Sequence, residues 1–213
     1  MPSVCKVHGP ACKGHRNAAV NDRAVLERAE FDALVAACTA PDERAVLLLA
    51  YDLAMRASEV AGLRPDHVEG RTVYVKRSKN GKREGIGISA RTLAAIRPFV
   101  DRARSESRTA VFPDWDARRF ARWFRGLVKH AGLASHPGRP ADDPGAPHDV
   151  RDKGYSHILR RSRATHLIEA GAAIKDVQRR LGHRSVKTTM LYLGLTEERK
   201  RAVDDLAAKM MDE

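Results

Sequence analysis

Residues 41–63 read PDERAVLLLAYDLAMRASEVAGL. Pro41, Asp42 and Glu43 predict a helix start, with proline at the first position and acids beside the positive end of the helix. Val46, Leu48, Leu49 and Leu53 then predict a deeply buried helix. Arg56, Ser58 and Glu59 follow this apolar segment directly. An arginine at the end of a greasy helix is unusual, because a buried charge must be paired. It is either half of an Arg56–Glu59 pair at i, i+3, or an arginine aimed into a site and braced by Glu59.

Around this stretch the pattern is helical. Glu30 to Thr39 predicts a helix burying Phe31, Leu34, Val35 and Cys38, so Cys38 reads as plain core. Ser89 caps a helix running through Leu93, Ile96 and Val100. Asp116 to Ala131, ended by Gly132, is strongly amphipathic. Phe120, Phe124, Leu127 and Val128 form its apolar side, and Trp123 is expected to pack. Arg118, Arg122, Arg125 and Lys129 run down another side, which fits contact with a DNA backbone or a solubilising face. His157 to Ala170 forms the next helix, stopped by Gly171, with Leu159, Leu167 and Ile168 inward. His157 and Arg160 share one face of it. Ile174, Val177 and Leu181 repeat at helical spacing before Gly182-His183. Val186 to Leu193 predicts a short helix carrying Tyr192. The amphipathic tail from Thr196 (Val203, Leu206, Met210) is suited to docking on its own body or on a neighbour.

Asn80-Gly81 marks a hairpin turn. With those two as the loop, Lys79 faces Lys82, Arg77 faces Glu84, Val75 faces Ile86 and Val73 faces Ile88. The apolar pairs fall on one face and Arg77–Glu84 is an opposite-charge pair. The two tip lysines make either a solvated loop end or a phosphate-seeking finger. Four prolines (Pro137, Pro140, Pro144, Pro147) predict a long coreless loop over 135–154.

Composition bounds the function. The chain has 213 residues, enough for one domain with an appendage. Its 39 Lys+Arg outnumber 27 Asp+Glu, for a net charge of +12, which favours a polyanionic partner, nucleic acid by default. The longest apolar run, Ala45 to Tyr51, is far below the roughly 18–20 residues that span a bilayer. No apolar stretch resembling a secretory signal follows Met1. Three cysteines make no disulfide scaffold and point to a reducing compartment, so a cytoplasmic protein is expected, nucleoid-associated if its partner is DNA. Residues 1–20 read as a separate tail. Within it Cys5, His8, Cys12 and His15 are four groups that suit either a small zinc site or a disordered basic arm.

Three motifs in order make a resemblance. Ala54-Met55-Arg56-Ala57-Ser58-Glu59-Val60-Ala61-Gly62-Leu63 resembles the first-arginine motif of the tyrosine recombinases, the phage integrase and Xer-like family. Residues 156–167, SHILRRSRATHL, resemble that family's H-x-x-R motif with its A-T-H-L continuation. Leu181-Gly182-His183 followed by Thr188-Thr189-Met190-Leu191-Tyr192 is similar to its L-G-H…T-T…Y ending. The hairpin lysine lies between the arginine motifs, as the family requires. The likeness covers roughly residues 25 to 195. Arg161 replaces a histidine common after the second arginine, and Ser162-Arg163 replaces the usual Thr-aromatic pair. These departures bear on local packing more than on chemistry.

The resemblance implies a mainly α fold with a small antiparallel β-sheet (α+β), of the tyrosine-recombinase catalytic-domain type, over 21–213. A helical core-binding domain usually precedes it in the family and is absent here, so the chain is expected to be a fragment or a minimal member. The resemblance further implies that Tyr192 attacks a DNA phosphate and leaves a 3′-phosphotyrosine. Arg56 and Arg160 would hold the non-bridging oxygens. Lys79, with Lys82 as reserve, would protonate the leaving 5′-oxygen. His157 would give acid–base assistance and His183 would hydrogen-bond a non-bridging oxygen. No cofactor and no catalytic metal is implied, because guanidinium groups take the place of cations. The expected partners are double-stranded DNA and further copies assembled on it, with no membrane. The alternatives are a DNA-binding or regulatory module without cleavage, and a type IB-like topoisomerase or resolvase. A pure binder gains nothing from keeping all six residues.

Overall fold

The computed structural model describes residues 25–76, 83–133 and 155–183. Helix α1 spans Arg28–Ala37, α2 Pro41–Asp52 and α3 Ala57–Ala61. A 3-10 turn at Pro65–His67 leads into strands β1 (Val68–Glu69), β2 (Thr72–Val75) and β3 (Glu84–Gly87). Helices α4 (Ala90–Ser105), α5 (Ala117–His130), α6 (Tyr155–Glu169) and α7 (Ile174–Leu181) complete the described chain. The predicted class holds: the described residues are mostly helical, with a three-stranded antiparallel sheet of order β1-β2-β3.

Helix α2 is the hub, packed by α1, α3, α4 and α6. All of Ala45–Asp52 is buried, as an apolar run entering a helix must be. Pro41 sits in its first turn, and the Glu43 carboxylate accepts from the backbone N–H of Ala40 at 3.2 Å and of Thr39 at 3.0 Å. Helix α1 begins two residues before the predicted Glu30, because the Glu30 carboxylate closes the first turn on the Glu27 N–H at 2.8 Å. Cys38 packs half-buried against the core and donates to the Leu34 carbonyl at 3.4 Å. Burial, with Glu43 nearby, pushes its thiol up to about 11. Ser89 caps α4 by accepting from the Thr92 N–H, and Asp116 caps α5 from the Arg119 N–H. Trp123 packs edge-on to Trp115, ring centres 5.0 Å apart.

The hairpin register differs from the predicted one. Val73 pairs with Ile86 and Val75 with Glu84, a shift of two residues. A two-residue slip leaves every side chain on its original face. Val73, Val75, Ile86 and Ile88 are therefore all buried, as expected, while alternation alone could not separate the two registers. The choice is made at the other end. Ile88 donates its N–H to the Arg71 carbonyl at 2.9 Å, and β1, which the sequence pattern does not predict, folds back onto β2 through a two-residue turn with Gly70 at φ +54°. With Val75 opposite Glu84, the expected facing of Arg77 and Glu84 does not hold, and Arg77 and the tip lysines lie outside the described residues.

A second, smaller apolar cluster joins Ala54 to Ala164 and Ile168 of α6 and to Val177 and Leu181 of α7. It seats the ends of α2 and α7 side by side. The expected tail over 1–20, the 135–154 loop, the Tyr192 helix and the amphipathic C-terminal segment lie outside the described residues.

Candidate functional site

Helix α2 ends in a tight reversal. Ala54 donates to the Tyr51 carbonyl and Met55 to the Ala50 carbonyl, the paired bonds of a Schellman motif. That motif places a left-handed residue after the helix. Here it is Ala54, at φ +51°, rather than glycine. Helix α7 ends the same way, with Gly182 at φ +65° and His183 donating to the Gln178 carbonyl.

Both reversals meet one side chain. Arg160, only 1% exposed, donates from Nη1 to the Ala54 carbonyl at 2.7 Å and from Nη2 to the Leu181 carbonyl. The carbonyl-bearing ends of two helices thus face a buried guanidinium, and helix C-termini favour cations. Two backbone carbonyls thus help to satisfy a charge buried in the core. Two residues beyond Ala54 stands Arg56, and two beyond Leu181 stands His183. One guanidinium therefore fixes the segments that deliver both.

Arg56 opens α3. Its Nη1 pairs with Glu59 Oε1 at 2.8 Å and its backbone N–H donates to Glu59 Oε2 at 2.8 Å. Its side chain is 41% exposed against 11% for Glu59, so the carboxylate braces an arginine that still faces solvent. The Arg56–Glu59 pair of the sequence reading is thus present, with the guanidinium still partly exposed. His157 lies one turn before Arg160 on α6 with an exposed edge. Partial burial holds its imidazole below the usual histidine value, and the charges of Arg160, Arg56 and Arg161 add to that effect. A neutral ring beside several cations can accept a proton or a hydrogen bond. His183 is half-buried at the mouth of α7.

Arg56, His157, Arg160 and His183 are thus brought into one region. Lys79, Lys82, Tyr192 and the Cys5, His8, Cys12, His15 set lie outside the described residues. Arg118, Arg122, Arg125 and Lys129 are all exposed on α5, while Phe120, Phe124, Leu127 and Val128 are buried. The departures around the second arginine have structural partners. Ser162 is buried, donating to the Ile158 carbonyl at 2.7 Å and accepting from the Leu26 N–H at 2.8 Å. Arg163 pairs with Asp52 at 3.0 Å and lies over the Tyr51 ring. The Tyr51 hydroxyl is 2.6 Å from His166 Nδ1, a buried pair.

Sequence reasoning missed Asp52. An acid inside the run Val46–Leu53 was the available signal, since it must find a cation when that helix is buried.

The phage integrase family pattern matches residues 24–199, and the chain belongs to that family. Among similar proteins, tyrosine recombinase XerC 2 of Ralstonia nicotianae is 30% identical over 190 residues, covering 86% of this chain and 52% of its own. Tyrosine recombinase XerD of Mycobacterium leprae is 32% identical over 177 residues, covering 75% of this chain and 50% of its own. The chain spans about half the length of the curated relatives it matches. In fold it is similar to XerA recombinase, with TM-score 0.64 at 22% identity over 86% of this chain and 64% of that one. The catalytic domain of bacteriophage HP1 integrase gives TM-score 0.61 at 18% identity, over 86% of this chain and 94% of that one. Among the described residues no helix is long and apolar enough to cross a membrane.

Proposed function

We propose that this chain is the catalytic unit of a site-specific DNA recombinase that cleaves and rejoins strands through a 3′-phosphotyrosine. Breaking and resealing DNA without an energy source requires the phosphoester to be conserved, and a covalent link to the phenol of Tyr192 conserves it. Attack builds negative charge on the non-bridging oxygens. Arg56 meets that charge directly as an exposed, braced guanidinium. Arg160 adds its positive field from beneath and holds the two segments in place. His183 donates to a non-bridging oxygen, His157 handles the proton of the nucleophile, and Lys79, with Lys82 in reserve, protonates the 5′-oxygen. Arg118, Arg122, Arg125 and Lys129 contact the duplex backbone. The protein acts on double-stranded DNA in the cytoplasm, at the nucleoid, and assembles with further copies there.

The observation that carries this reading is the double tie of Arg160, which gathers Arg56, His157 and His183 from three separate motifs. Family membership supports it. The test is incubation with a nicked duplex bearing a target site. A slow-migrating covalent adduct is expected from the intact chain and none from Tyr192→Phe. An undiminished adduct from Tyr192→Phe would overturn the assignment.

A further inference from the structure

Asp52 is 6% exposed at the end of α2, and three other segments meet on it. Its Oδ2 accepts from the Ser89 N–H at 2.7 Å, at the junction of β3 and α4. Its Oδ1 takes Nη2 of Arg163 at 3.0 Å, with Nη2 of Arg180 at 3.8 Å. The same Arg180 nitrogen donates to the Asp52 carbonyl at 2.8 Å and to the Gly87 carbonyl at 3.2 Å.

The spacing links these partners to the site. Arg163 stands three residues beyond Arg160 on α6. Arg180 stands three residues before His183, at the end of α7. Gly87 and Ser89 flank Ile88 at the close of β3, the strand that follows Lys79 and Lys82 in sequence. We infer that Asp52 is a positioning residue for strand cleavage, clamping β3, α6 and α7 in one register through Arg163 and Arg180. This rests on the strand-cleavage reading above.

The electrostatics fit a clamp rather than a filler. Two guanidinium groups share one carboxylate in a largely buried place, so removing the carboxylate leaves two cations in repulsion. Burial and the Arg163 charge both press the Arg180 guanidinium below its usual value, and Asp52 opposes them. An apolar side chain at position 163 could pack α6 on α2, but it could not tie α7 and β3 to the same point.

The test measures adduct formation at saturating nicked duplex, together with duplex affinity by fluorescence anisotropy, for wild type, Asp52→Asn and Arg180→Gln. Folding is checked by circular dichroism. Each single variant is expected to lower the saturating rate at least ten-fold while affinity stays within two-fold. The double variant is expected to be no slower than the worse single one, because both cut the same clamp. A folded Asp52→Asn that reacts at the wild-type rate overturns the inference, as does a rate loss matched by an equal loss of affinity. If Asp52→Asn does not fold, Arg180→Gln decides by the same split. Wild type giving no adduct counts against the strand-cleavage reading, and the inference falls with it. Wild-type cleavage with unaffected variants counts against the inference alone.

Discussion

Arg160 Nη1 lies 2.7 Å from the carbonyl of Ala54, a residue held at φ +51°. The left-handed turn aims that carbonyl back toward α6, and the bond in turn stabilises a conformation that an alanine rarely adopts. Arg160→Lys should therefore fail at both tasks. An ammonium keeps the charge, but it lacks the planar fork that reaches Ala54 and Leu181 together. Losing one charge-assisted bond to a buried carbonyl should destabilise the fold by about 2 kcal/mol. Urea unfolding reads that loss, and adduct formation should fall about 100-fold or more. An Arg160→Lys protein as stable and active as wild type would mean that the double tie is incidental.

Much of this was legible in the sequence because it depends on local spacing. Pro41 with Asp42 and Glu43, the Ser89 cap and the Gly182 stop are short-range signals, and each falls where the chain makes the corresponding end. Grouping Arg56 with Arg160 came from motif order, since no spacing rule places residues so far apart in sequence side by side. The hairpin register was not legible, because alternation has a period of two and a slip of two is silent. The Asp52 clamp was not legible as a unit either. Its members lie on α2, α6, α7 and β3, and only packing brings them together.

Glu59→Gln separates bracing from stability. The Arg56–Glu59 pair includes a side chain that is 41% exposed, so its loss should change stability by less than about 0.5 kcal/mol. The amide oxygen can still accept the Arg56 N–H, but the guanidinium loses its anchor. Adduct formation should slow about ten-fold with an unchanged urea midpoint. A large drop in that midpoint would show that the pair serves folding instead.

Stability should decline with acid. His166, His157 and His67 are all held below the usual histidine value, with burial as the leading cause. In an unfolded chain these rings titrate near about 6.5. Below that pH the unfolded state takes up protons that the folded state resists, so the stability present at neutral pH is lost as pH falls. Urea midpoints should drop from pH 7.5 to pH 5. His166→Asn should lower the midpoint at neutral pH, by removing the partner of the Tyr51 hydroxyl, and should flatten the decline. An equally steep decline in that variant would place the proton uptake elsewhere.

The exposed stripe on α5 makes a salt-dependent prediction. If Arg122 and Arg125 each neutralise a phosphate, replacing both by glutamine should weaken DNA binding equally across sequences. The slope of log K against log salt should become shallower by about 0.9 for each phosphate no longer neutralised. An unchanged slope would make the stripe a solvated face.

The proton donor can be tested by changing the leaving atom. A 5′-alkoxide leaves poorly without a proton, whereas a 5′-thiolate leaves readily, since thiols titrate near about 8.5. If Lys79 supplies the proton, Lys79→Ala should slow cleavage of an ordinary linkage by about 10²–10⁴-fold. The same variant should cleave a 5′-bridging phosphorothiolate at close to the wild-type rate, because attack and charge stabilisation by the arginines remain intact. Arg56→Ala should be slow on both substrates, since charge on the non-bridging oxygens develops whichever atom departs. Lys82→Ala serves as the control on the same hairpin, with both rates near wild type. A sulfur rescue confined to Lys82→Ala would transfer the donor role to Lys82, and rescue in neither variant would take it off the hairpin.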